Sequence, residues 1–188
     1  FVTNGEAEVY NPSGIIQTGQ GFIVAAKSGM TALNFNNTQR TNNHANQFFR
    51  LTDQEERNTI WLNATNEAGG FSQMAVGYMT DATQGVDRFD GEAFADNDIA
   101  LGSFLDNTNY AIQGRALPFE AIDVVPLTFR TANAGTYSIA IDHVIGLFEG
   151  DQIIVLKDNL TGVEHNLKDS AYSFATEAGT FNDRFELK

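Results

Sequence analysis

Cysteine is missing from all 188 residues, which removes disulfides, thiolate metal sites and cysteine nucleophiles together. That absence fits surface proteins as well as cytosolic ones. The fold must then be held by its buried core, and with 42% apolar residues the chain is long enough to build one without staples. Positive charge is scarce, because 11 Lys and Arg stand against 24 Asp and Glu, a formal net charge of -13. This balance opposes nucleic acid and anionic membrane surfaces as partners, since both need a positive field. Long apolar runs are lacking as well, and no window approaches the roughly 20 apolar residues of a membrane-spanning helix. The opening Phe1-Val2-Thr3-Asn4 has neither the charged nor the apolar region of a signal peptide. The expectation is a chain whose leader or anchor has been removed or was never included.

Catalytic signatures are equally thin. His44, His143 and His165 are the only histidines; they fall in separate segments without metal-ligand spacing, and no Gly-x-Ser-x-Gly elbow occurs. Gly19-Gln20-Gly21 precedes the β-branched run Phe22-Ile23-Val24 rather than a helix, so it reads as a turn and not as a phosphate cradle. Two carboxylates can still meet in space at hydrolase separation, but no pattern identifies a reaction. The sequence therefore nominates no catalytic and no cofactor-binding residue.

What the chain does contain is alternation. Ile15 to Ala26 reads as strand, turn and strand; Arg57 to Thr65, Phe71 to Met79, Ile99 to Phe104 and Tyr110 to Gln113 follow with period two. Leu127 with Phe129, Tyr137 with Ile139 and Ile141, Ile153 with Val155, and Tyr172 with Phe174 continue it, broken by Gly135, Gly146, Gly150 and Gly179. Asn34 to Asn46 is a polar surface loop. Thr52 and Glu55 have capping-box spacing for one or two helical turns, and nothing longer is credible. The expected fold is all-β with minimal helix, an antiparallel β-sandwich of jelly-roll or Ig-like type. A single domain spans 1–188, with two packed halves, 1–117 and 118–188, as its possible subdivision, because Pro118 and Pro126 disfavour central pairing.

Two places carry chemical potential. Between Thr80 and Asp98 six carboxylates occur, at 81, 87, 90, 92, 96 and 98. Calcium takes six to eight oxygens, so Asp87, Asp90, Asp96 and Asp98 are candidate ligands; the alternative is a solvated acidic loop pinned by Arg88. Trp61, the sole tryptophan, opposes the presumed core face of Ile60 and Leu62. It either lies under a second layer or, with Tyr110, offers a stacking platform for a sugar ring.

The C-terminal block carries a resemblance. Leu156-x-Asp158-x-x-Thr161-Gly162, His165-Asn166-Leu167 and Tyr172-x-Phe174-x-Thr176-Glu177-Ala178-Gly179-Thr180-Phe181-Asn182-Asp183-Arg184-Phe185-x-Leu187 resemble a family of flavobacterial secreted proteins, in the β-rich region that precedes a type IX secretion sorting domain. Gly19 to Val24, Gln47 to Arg50, Ile60 to Asn63, Gly77 to Met79, Ile112 to Phe119 and Val125 to Leu127 resemble the same pattern in the same order. Asn11-Pro12-Ser13 departs from that family's Asn-Pro-Tyr turn, and the family's sorting signal, expected after Lys188, is not among these 188 residues. The resemblance implies a secreted or outer-surface location and an encounter with the type IX machinery through the missing signal. The function expected is a noncatalytic module in adhesion or cargo presentation. The alternative is a carbohydrate-binding module that takes polysaccharide or a cell-surface glycan, and a third reading is a hydrolase fragment.

Overall fold

The computed structural model describes residues 28–29, 32, 34–40, 58–93 and 97–188. Two compact units divide the chain, Phe1–Glu55 and Glu56–Lys188. The strands expected over Ile15 to Ala26, the capping box at Thr52 and Glu55, His44 and Asp96 lie outside the described residues. In the first unit, Asn37–Gln39 forms one 3-10 turn. Asn36 caps it, accepting from Thr38 N at 3.0 Å while Gln39 Oε1 accepts from Asn36 N at 2.7 Å.

The second unit is all-β. Its strands are β1 (Asn58–Asn66), β2 (Phe71–Met79), β3 (Gly91–Glu92), β4 (Ile99–Leu105), β5 (Thr108–Ala116), β6 (Val125–Thr131), β7 (Gly135–Ile145), β8 (Val155–Asp158), β9 (Val163–Asn166), β10 (Tyr172–Thr176) and β11 (Gly179–Leu187). The only described helix here is a 3-10 turn at Gly146–Glu149. Alternation places Ile60, Leu62 and Ala64 of β1 and Met74, Val76 and Tyr78 of β2 inward, all buried. Asp106 and Asn107 both take positive φ, 48° and 60°, and close β4 onto β5 in the two-residue primed turn that suits strand twist.

The expected pair of packed sheets is instead one continuous sheet, ordered β10-β7-β1-β2-β5-β4-β6-β11-β8-β9, with β3 paired to β5. It rolls into a nearly closed barrel, because Phe129 of β6 packs against Tyr137 of β7 and Phe174 of β10, strands far away along that path. One pair is parallel: Ala75 to Met79 of β2 against Ile112 to Ala116 of β5. A parallel neighbour needs a long crossover, and the acidic segment, β3 and β4 all lie within it. The boundary anticipated at 117/118 falls inside this unit, where β4 and β6 pair across it. Pro126 is accommodated because β4 pairing begins at Leu127, leaving the proline beside one strand rather than two.

The seam between β10 and the β8–β11 side is closed by side chains. Arg184 of β11 donates from Nη2 and Nε to the carboxylate of Asp158, at 2.9 and 3.2 Å, and Tyr172 Oη of β10 donates to Asp158 Oδ2 at 3.0 Å. The guanidinium also reaches Ala175 O and lies over the rings of Phe174 and Phe185, at 4.7 and 4.8 Å. Asp158 additionally accepts from Leu160 N at 3.0 Å and so shapes the β8–β9 turn, where Gly162 has φ of 73°. A similar trio, Arg115, Asp123 and Tyr78, ties the loop before β6 to the sheet.

Candidate functional site on the outer sheet face

The face opposite the core is built by β1 alternation, which turns Thr59, Trp61, Asn63 and Thr65 to that side, Thr59 buried and the other three half-buried. The ladder to β7 then slips: Trp61 pairs with His143, but Leu62 pairs with Ile141, so Asp142 is an extra residue. A bulge of this kind re-aims side chains. Here Asp142 and His143 are both exposed, and the His143 ring stacks on Trp61 with centroids 4.0 Å apart and planes 14° from parallel.

Asp142 is the hub. Its Oδ2 lies 2.6 Å from His143 Nδ1, its Oδ1 accepts from Asn63 Nδ2 at 2.9 Å, and Asn63 Oδ1 in turn accepts from Gln73 Nε2 of β2 at 2.9 Å. The bond from His143, then that from Asn63, holds the Asp142 carboxyl below its ordinary range. A polar ladder therefore crosses three strands beside an aromatic stack. In the next positions of the same row, Trp61 pairs with Ala75 and Ala75 with Ile112, which is 52% exposed. Phe71, at the start of β2, is 55% exposed. Such an arrangement can stack an apolar ring face on the indole while amides and a carboxylate bond hydroxyl groups around it.

Tyr110 does not join it. It is 4% exposed, paired with Ser103 and Glu92, and burial followed by the charges of Glu92 and Asp90 pushes its phenol up. A stacking platform needs an open ring face, and Ile112 rather than Tyr110 is the open β5 residue here. The outward setting of Trp61 was legible from alternation, whereas Asp142 and His143 were missed. Their signal is a phase break: the apolar positions Ile139 and Ile141 are followed by Val144, not by residue 143.

The acidic loop is organised by its own backbone. Asp87 accepts from Thr83 N at 2.6 Å and Phe89 N at 2.8 Å; Asp90 accepts from Asp87 N at 2.6 Å and from Gly114 N of β5 at 2.9 Å. Phe89 seals the dock, since a Cβ added at Gly114 would stand 2.5 Å from Phe89 Cβ. Arg88 lies over the Phe89 ring at 4.6 Å. Backbone N–H groups thus supply positive partial charge to Asp87 and Asp90 in addition to any from a cation or from Arg88. Asp87 and Asp90 are brought together; Asp98 lies just before β4, exposed, with its carbonyl accepting from Ala132 N at 2.8 Å. Among the described residues no group of three or more His, Cys, Asp or Glu side chains is placed to hold a metal.

The two Tyr-Asp-Arg trios are structural. Asp158 is fully buried, and Asp123 is covered by Arg115 and Tyr78. Burial raises both carboxyl pKa values and the Arg and Tyr hydrogen bonds overcome it, so the net shift is downward. Burial, then Asp123, pushes the Tyr78 phenol well above its ordinary value.

A family model described as a domain of unknown function, DUF8693, matches residues 1–188, and the chain belongs to that family. No curated protein and no solved structure matches the chain.

Proposed function

We propose that the domain is a noncatalytic binding module of a secreted or surface-displayed protein, and that it takes carbohydrate on the outer face of β7, β1 and β2. The carrying observation is the bulge at Asp142, which spends a ladder position to set His143 against Trp61 and a carboxylate against Asn63. The same bulge lets Ile141 and Val144 both pack against the core, so it serves the inner and the outer face together. Adhesion or presentation beside a type IX sorting signal is the setting we propose, supported by the resemblance of the block from Leu156 to Leu187.

One experiment tests both halves. The chain is fused to a type IX sorting domain, given an ordinary leader and expressed in a flavobacterial host. Surface antibody labelling and binding of fluorescent polysaccharides are then read on the same cells. We expect display with glycan binding, and Trp61→Ala should be displayed equally while losing at least about tenfold in binding, the scale of one aromatic anchor. Retention in the periplasm, while a control cargo with the same signal is exported, rejects the export reading. Display without binding to any glycan rejects the carbohydrate reading.

Calcium at Asp87, Asp90, Asp96 and Asp98 is a separate proposal, supported by the closeness of the first two carboxylates. The ion would compete with the N–H groups that now hold them. Extracellular sites often have dissociation constants of about 0.1 to 1 mM, so several millimolar calcium should raise the melting temperature relative to chelator by mass action. Asp90→Ala should erase that difference. Equal melting temperatures, or an effect matched by ionic strength alone, reject the metal.

A further inference from the structure

Trp61 and Phe71 occupy the same outward face, with the Asn63–Gln73 pair between them. Thr65 pairs with Phe71 and lies four residues beyond Trp61, which sets the two anchor points about 14 Å apart at ordinary strand rise and spacing. One sugar ring cannot touch both, whereas a short run of linked rings can. The His143 ring stacks on one face of the half-buried indole, and across the ladder to β2 its neighbour is the small side chain of Ala75. Phe71 is an exposed aromatic that no core position requires. Charge narrows the class further. The chain carries a net charge of -13, and the hub of the polar ladder is the carboxylate of Asp142, so uronic acids and sulfated sugars are repelled.

Resting on the carbohydrate reading above, we infer that the ligand is a neutral, linear glycan chain lying along β1 and β2. Trp61 grips one end, Phe71 the other, and Asn63 and Gln73 bond the hydroxyl groups between. Length dependence is the signature, because each ring added up to the Phe71 end brings new contact area and rings beyond it bring none.

The sole tryptophan is itself the reporter, so quenching of intrinsic fluorescence follows binding at Trp61 directly. Neutral gluco-, manno- and xylo-oligosaccharides from one to six units are titrated into the full chain, with oligogalacturonates as the acidic comparison. Affinity for at least one neutral series should rise about tenfold or more between two units and four or five, then level off. Phe71→Ala should lose that gain and, being exposed, keep the melting temperature. Equal affinity for one unit and six, an unchanged length profile in Phe71→Ala, or tighter binding of the acidic series each overturns the linear neutral ligand while leaving carbohydrate binding intact. No quenching by any sugar overturns both.

Discussion

Asp158→Ala should destabilise the second unit by about 3 to 5 kcal/mol, the cost of leaving one partner of a buried ion pair without its counter-charge. The side chains of Arg184 and Asp158 are 4% and 0% exposed, so water cannot replace the carboxylate. The guanidinium would remain wedged between Phe174 and Phe185 with Ala175 O as its described acceptor, and Tyr172 Oη would lose Asp158. Domains of ordinary stability have about 5 to 15 kcal/mol in all, so urea denaturation should show roughly a fifth or more of the total gone. The double change Asp158→Ala with Arg184→Met separates two causes. If the stranded charge is responsible, the double variant is more stable than Asp158→Ala alone; if lost contacts are responsible, it is less stable.

The same carboxylate should set an acid limit. The folded pKa of Asp158 lies below its unfolded value, as does that of Asp123. Each contributes stability that is present above the unfolded value, about 4, and lost as pH falls through the folded one. Wild-type stability should therefore decline below about pH 4, and Asp158→Asn should flatten that decline. A variant with the wild-type slope would remove Asp158 from the acid response.

The block from Leu156 to Leu187 was legible as strands and turns, and as a resemblance, but not as a seam. Asp158, Tyr172, Phe174, Arg184 and Phe185 are separated by up to 27 residues and meet only because the sheet rolls until β10 faces β8 and β11. Period-two alternation reports which side of a strand is buried, not which strands face each other. It therefore yielded the all-β class and the outward Trp61. It was silent on the single rolled sheet and on the parallel pairing of β2 with β5. The acidic segment shows a different limit. Counting charges from 81 to 98 finds like-charge repulsion, whereas the backbone amides that relieve it have no letter of their own. Gly114, which admits both Phe89 and an N–H bond to Asp90, was the one available hint.

Phe129→Ala should cost about 3 to 5 kcal/mol, the range for a large aromatic removed from a packed core, and its damage should be directional. Phe129 is completely buried on β6 and meets Tyr137, Phe174 and Phe185 edge-on, with ring centroids 5.3, 5.2 and 6.2 Å away. Those rings belong to β7, β10 and β11, so this one side chain spans the interior between the two sides of the seam. The other aromatic cluster, Tyr78, Phe119 and Phe148, fills the opposite end, where β1 pairs Asn58 with Tyr78 and Thr59 with Ile145. Phe148→Ala removes a comparable volume without touching the seam. Hydrogen exchange should distinguish them: in Phe129→Ala the amides of β10 should exchange faster than the global loss of stability explains, through a local opening, while in Phe148→Ala they should follow the global loss alone. If both variants accelerate β10 equally, the seam does not depend on Phe129, and the sheet is held rolled by its whole core rather than by the aromatic bridge and the Asp158–Arg184 pair.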